Sequence, residues 1–340
     1  MRKSTALALA ALGVTLGLMP ESTVQAEPAH VLNFGTMAPT DTPWSNQMVD
    51  IKKRLEADSG GSVQVKLFLG GSMGGELEMM QDVQKGERLQ GGGFSTGAVG
   101  QALEVDELLM VELPYLFRNN AEADAVLDEI LYKPVSDKLA KEGIQFYAWA
   151  ENGWRNMGTK GGAAYTPEDM KAYKVRSQES PVHLDMWKAL GVQYTAKPTT
   201  EVLNALETNI VTGYDQTPLF ALAGGWIKPI SHYTLTRHIY QPAAVVYSKT
   251  FHDGLPPNLQ QVLMAEAAAE GARGRKDVRA LEAELIETIG AMGTEVVELT
   301  PEQKKAWRQA TRPVHKQFLA SHPEMVPLYG QIKTKLQSMR

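Results

Sequence analysis

A strand, a helix and a second strand follow one another where the globular part of this chain begins. "HVLNFGT" (His30–Thr36) reads as a strand, and Pro39 and Pro43 mark a loop after it. Trp44, Met48, Ile51 and Leu55 then recur at helical spacing. Asp41 is expected to cap this helix, and Gly60 and Gly61 to end it. "SVQVKLFL" alternates Val63, Val65, Leu67 and Leu69, which predicts a strand with one apolar face. A helix between two strands joins them in parallel, so an α/β fold is expected.

The chain carries a different signal before that unit. Arg2 and Lys3 precede an apolar run, Ala6–Leu18; Pro20 breaks it, and Val24-Gln25-Ala26 offers small residues at a cleavage site. This pattern predicts a secretory signal peptide, residues 1–26. The run is shorter than the ~20 residues that span a bilayer. There is no cysteine, which excludes disulfides, thiolate metal sites and lipid attachment through an N-terminal cysteine. The core alone must hold the chain, and its length suits two domains. Cleavage after Ala26 removes two cations and one anion, moving the net charge from −5 to −6. That balance argues against nucleic acid or an anionic membrane as partner.

Further along, "GELEMMQDVQKG" predicts a helix closed by Gly86, and a strand runs from about Arg88 into "GGGFSTG". Two helices are expected over 119–131 and 134–142, and a strand over 144–150. A second α/β block starts near Glu151. In it, Thr166-Pro167 has the form of a helix start, and "KAYKVRS" that of a short strand. "PVHLDMWKALG", with Trp187 on its apolar stripe, and "TTEVLNALETN" read as amphipathic helices. Strands are expected over 233–239 and 243–248. From Pro257 to about Gly293 the composition predicts one helix of roughly 30 residues, ~45 Å long, enough to cross both domains. "TEVVEL" reads as a strand, and a helix follows it. No low-complexity linker separates the blocks, which suits a hinged pair.

Several motifs bear on chemistry. Gly93-Phe94-Ser95-Thr96-Gly97 matches G-x-S-x-G, the strand-to-helix turn of serine hydrolases. Asp215 and His238 would complete a triad with Ser95. Three successive glycines weaken the strand such a turn needs, and short motifs match by chance. No histidine pair has ligand spacing and no loop is rich in carboxylates, so no metal site is expected. "GGSMGG" fits no phosphate-binding fingerprint and reads as a turn before a helix. Arg155, in "ENGWR", follows a strand, and Arg176, in "KVRSQESP", ends one. Ligands gather at the carboxyl ends of strands in open α/β sheets, where a guanidinium can clamp a carboxylate. The alternative for each arginine is a surface ion pair, worth ~0–1 kcal/mol. Trp44, Trp154 and Tyr214 stand at element ends, where lining a pocket competes with packing in the core.

Six stretches occur in an order that carries a family likeness: "GGSMGGELEMMQDVQKG", "LPYLFRN", "ENGWR", "TPEDMKAYKVRSQESPVHLDMWKALG", "TEVLNALETNIVTGYDQTPL" and "LPPNLQQVL". Together they resemble the DctP-type solute-binding proteins of tripartite ATP-independent periplasmic (TRAP) transporters, over nearly the whole mature chain. The resemblance implies an α/β, two-lobed Venus-flytrap fold with a long helix spanning both lobes. Lobe I would hold residues 27–152 and about 238–270, and lobe II residues 153–237 and about 271–340. It implies a periplasmic receptor rather than an enzyme, without a cofactor, that closes on an organic acid. The ligand would pass to small and large membrane subunits.

The site residues follow from the same likeness. Arg176, in the K-x-R motif, would pair with the carboxylate bidentately, and Arg155, in the N-G-x-R motif, would add charge and help latch the lobes. Gln216 and Glu76 stand where relatives orient polar groups, and Ser95 and Phe94 at a strand end that faces the ligand. Trp44, Trp154 and Tyr214, proposed from their place at element ends, would shape an apolar wall with Phe94, and Asp215 completes the expected set. The chain departs from the family pattern at Leu89 and Thr212, each in place of an aspartate, and has one residue more before Pro218. Phe94 and Tyr214 make the expected pocket aromatic. An apolar or amphipathic ligand, handled with a helical-repeat partner, is therefore the second reading.

Overall fold

Two long strands organise the molecule. The computed structural model describes residues 29–340, and the expected signal peptide lies outside the described residues. β1 (His30–Thr36) and β2 (Val63–Phe68) pair in parallel around α1 (Pro43–Asp58). Thr42, not Asp41, caps α1: Thr42 and Ser45 each bond the other's backbone N–H, while Asp41 takes a turn conformation with φ 61°. After α2 (Glu76–Lys85), β3 (Gly91–Ser95) joins β1 in parallel. α3 (Thr96–Leu103) and α4 (Asp106–Met110) come next.

The two helices expected over 119–142 form one continuous run. α5 (Asn120–Val126) passes through a π-turn, Leu127–Leu131, into α6 (Tyr132–Lys141). Pro134 has no N–H to give to the preceding turn, and the wider π-turn stands where that bond is missing.

β4 (Ile144–Thr159) and β8 (His232–Ser248) then run antiparallel through the whole molecule. The strand expected to stop at Ala150 continues through "ENGWR", so Arg155 lies inside β4 rather than after it. The two strands expected over 233–248 are likewise one. The ladder slips between Phe146 and Ala148, Glu151 and Gly153, and Arg155 and Met157. Each slip bends the ribbon and increases its twist. At one end β3 adds to β8, giving the order β2-β1-β3-β8-β4. At the other end β7 (Gly213–Gln216) adds to β4, β5 (Lys174–Ser177) and β6 (Gln193–Ala196) lie beyond it, and β9 (Glu295–Glu298) pairs β8. One nine-stranded sheet thus has two halves that share only the β4–β8 ribbon.

α7 (Pro181–Ala189), α8 (Val202–Glu207) and α9 (Pro218–Ala223) belong to the second half. α10 (Lys249–Gly254), α11 (Pro257–Met264), α12 (Ala267–Ala291), α13 (Pro301–Ser321) and α14 (Val326–Ser338) close the chain. The helix expected to be continuous from Pro257 breaks at Ala265, which is extended, and Glu266, at φ 63°. α12 alone has 25 residues, about 37 Å at 1.5 Å per residue. It packs on β4 and reaches from α1 to α9 and β9. Gly274 allows its closest approach to α1, because a Cβ there would lie 2.3 Å from the Gln47 amide. Among the described residues no helix is long and apolar enough to cross a membrane.

Candidate ligand-binding site

The site begins at the end of β3. Strand alternation sends Phe94 and Ser95 to opposite faces. Ser95 turns toward α2, where its N–H and Oγ donate to the two oxygens of Glu76 at 2.7 and 2.8 Å. It also accepts from Gln178 Nε2 at 3.3 Å. The strand-to-helix turn of the G-x-S-x-G match is therefore present, but a carboxylate and an amide surround the serine. His238 is engaged instead by Thr236 and Asp215. Burial pushes the Glu76 carboxyl up, as does the charge of Glu112, against the two Ser95 bonds and Arg176.

Phe94 does not face the cleft. It is fully buried in the core with Leu89, Met79 and Val99, because its neighbour takes the cleft side. Trp44 is also core, lying under Gly93, where an added Cβ would meet its ring at 2.5 Å. Tyr214 packs edge-on behind Trp226 at 5.3 Å between centroids. Trp154 donates to Asn120 Oδ1 at 2.7 Å and borders a small cavity at the strand crossing, beside Arg279. Trp226, absent from the expected set, supplies the aromatic surface: the Arg176 guanidinium lies 5.4 Å from its ring.

Arg176, at the end of β5, is 1% exposed. Its Nε and Nη2 donate to the Lys197 carbonyl at 2.9 and 2.7 Å, while Nη1 has no protein partner. Nη1 and the second N–H of Nη2 are thus left for an anion, so the two-nitrogen fork stays geometrically open. Burial and the nearby Arg155 lower its pKa to about 10, so it stays a cation at neutral pH. It borders a narrow pocket with Glu76, Ala98, Gln178, Ser180 and Thr199. The buried hydroxyls of Ser180 and Thr217 also lack partners. An unmet buried polar group costs about 1–3 kcal/mol, so this cluster points to a polar guest.

Arg155 has a different setting. It is fully buried, and its Nε donates to Asp215 Oδ2 at 2.5 Å. Nη2 donates to the Asp215 carbonyl at 2.6 Å, and Nη1 faces Gln241, Gln216 and Gln178 at 2.7, 3.1 and 3.2 Å. All three of its nitrogens are engaged by protein. Burial pushes the Asp215 carboxyl up, yet Arg155 and the two histidines hold it well below the usual range. Burial holds the His238 imidazole down despite Asp215. Glu112 and His183, also fully buried, meet at 2.6 Å. Sequence reasoning missed Glu112, Gln178, His183 and Gln241, since nothing local distinguishes them from surface residues. Thr217, beside Gln216, was missed because the extra residue before Pro218 blurs the register.

Outside this polar floor an open cleft of about 450 Å³ lies between the halves. Met37, Pro39 and Gly70 border it on one side, and Leu203, Phe220 and Trp226 on the other.

Two α/β halves on a shared ribbon, with a buried cation and unmet polar groups between them, define a bilobal solute receptor. Residues 34–322 match the family of bacterial extracellular solute-binding proteins, family 7 (DctP), and the chain belongs to that family. It is 32% identical over 267 residues to a solute-binding protein of Verminephrobacter eiseniae, covering 78% of each chain. It is 28% identical over 256 residues to the 2,3-diketo-L-gulonate-binding periplasmic protein of Escherichia coli, covering 75% of this chain and 76% of that one. A solved TRAP periplasmic solute-binding protein of Pseudomonas putida F1, with bound D-glucuronate, superposes with a TM-score of 0.82 at 28% identity, covering 89% of this chain and 96% of that one. The chain is thus a TRAP solute-binding protein of the DctP type, a transport receptor and not an enzyme. Proteins of this family are periplasmic.

Proposed function

We propose that this receptor captures a hydroxylated organic acid of sugar-acid size and delivers it to the small and large membrane subunits of a TRAP transporter. The observation that carries the reading is the free Nη1 of buried Arg176. A carboxylate there takes a charge-assisted bond, and its second oxygen can accept from Ser180. Glu76 offers acceptors, the amide nitrogens of Gln178 and Gln216 offer donors, since their oxygens already take two protein bonds each, and Thr217 offers a hydroxyl. The relatives that bind D-glucuronate and 2,3-diketo-L-gulonate support the same class. Arg155 acts from behind, holding Asp215 and Gln216 in place.

Among the described residues, one lobe takes 29–152 with about 238–270, and the other 153–237 with about 271–340. The ladder slip at Glu151 and Gly153, facing Pro242 and Gln241, supports hinges at those positions. The second reading is a longer acid with an apolar end. The apolar side chains of the outer cleft, Met37, Leu203 and Phe220, favour it.

A thermal-shift screen over uronates, aldonates, C4-dicarboxylates and fatty acids tests the proposal, because a bound ligand raises Tm by mass action. Sugar acids are expected to give the largest shifts. Shifts confined to fatty acids would favour the second reading, and shifts confined to C4-dicarboxylates would count against both.

A further inference from the structure

Glu112 follows α4 in the first half of the molecule, and His183 sits on α7 in the second. Their side chains are 0% exposed and meet at 2.6 Å between Oε2 and Nε2. The other Glu112 oxygen accepts from Thr96 Oγ1 at 2.6 Å and from the Gly97 N–H, at the start of α3. Gln241, on the shared ribbon, donates to Glu112 Oε2 at 3.1 Å and to Gln178 Oε1 at 2.9 Å. His183 Nδ1 has no hydrogen-bond partner, and its nearest carboxylate oxygen is Asp215 Oδ2 at 3.8 Å. The imidazole is therefore placed between a carboxylate of each half.

A bond between the halves exists only while they are together. The Arg155–Asp215 pair joins β7 to the end of β4 that pairs with it, so it survives opening. The Glu112–His183 bond does not. We infer that Glu112 and His183 form an interlobe latch that stabilises the closed form by itself, so that the receptor visits the closed form without a ligand. His183 is then a positioning residue for closure rather than a ligand contact. A minor closed state of order 0.1–10% is enough to be selected by a ligand. The inference needs two lobes that part and not any particular ligand, so it can fail or stand independently of the sugar-acid reading.

The natural chain has no cysteine, so a dye pair can be attached through Lys53→Cys in α1 and Lys228→Cys after α9, both exposed. Single-molecule energy transfer on the full mature chain, with no ligand added, then counts visits to the closed form. His183→Leu keeps the buried volume without the bond, and His183→Gln keeps a donor of similar reach. The expected result is that wild type and His183→Gln visit the closed form and that His183→Leu does so at least about tenfold less, as for loss of a hydrogen bond to a charged group. A melting curve for each variant separates this from unfolding. If His183→Leu melts below the working temperature, His183→Met, which also removes the bond but fills the site with a more adaptable side chain, is measured in its place, with a reduction again expected. Equal closed fractions in wild type and the folded bond-free variant, or a wild type that never closes, would overturn the latch.

Discussion

Arg155 and Asp215 are joined twice, side chain to side chain at 2.5 Å and Nη2 to backbone carbonyl at 2.6 Å, with neither side chain exposed to solvent. One partner lies in β4 and the other in β7, so the pair fastens β7 to the shared ribbon beneath the site. A buried carboxylate left without its cation is costly, about 3–5 kcal/mol. Arg155→Ala is therefore expected to lower folding stability by that order, read from urea unfolding. A variant as stable as wild type but unable to bind would instead make Arg155 a ligand contact.

Arg176 should behave in the opposite way. Its Nη1 has no protein partner, and Nε and Nη2 donate to the Lys197 carbonyl. Arg176→Ala is expected to weaken binding of the best acid from the screen by ~2–5 kcal/mol, with a smaller effect on unfolding. Calorimetry gives the first number and denaturant titration the second. Unchanged affinity would remove Arg176 from the anchoring role.

The Asp215 carboxyl also sets a pH dependence. Its folded pKa is depressed, so it releases its proton more readily in the folded chain than in the unfolded one. The stability it contributes is fully present above its unfolded value of ~3.9. That stability is lost as pH falls from there toward the depressed folded value. Urea midpoints measured from pH 6 to pH 3 should fall most steeply at the acid end, and Asp215→Asn should flatten that limb. An equally steep limb in the variant would assign the acid sensitivity elsewhere.

Gly93 is fixed by packing. A Cβ there would lie 2.5 Å from the Trp44 ring, and such overpacking costs ~1–3 kcal/mol. Gly93→Ala is expected to lower the unfolding midpoint accordingly, and Gly93→Ala combined with Trp44→Phe to recover part of the loss. No loss in the single variant would mean that the ring shifts freely.

The local elements were legible where one residue pattern decides them. Val63, Val65 and Leu67 alternate and form β2; Trp44, Met48, Ile51 and Leu55 bury one face of α1. Gly86 closes α2 in the left-handed conformation its lack of a Cβ permits. Arg176 was placed at a strand end because a short strand and a proline-led helix bracket it. The continuity of β4 and β8 was not legible. Gly153 and Pro242 lie just beyond the expected strand ends, but the ladder slip between Glu151 and Gly153 leaves room for a bend and a missing donor, so the strands run on.

By itself, then, the sequence determined the α/β class, the family and the arginine at the end of β5, because periodicity, caps and ordered motifs act over a few neighbouring residues. Tertiary structure alone decided which side chains meet. Phe94 went to the core and Ser95 to the side of Glu76 and Gln178 because strand pleating separates neighbours. Glu112 and His183, 71 positions apart, became partners only when the two halves of the sheet came together and excluded water. Burial and charge pairing depend on neighbours distant in the chain.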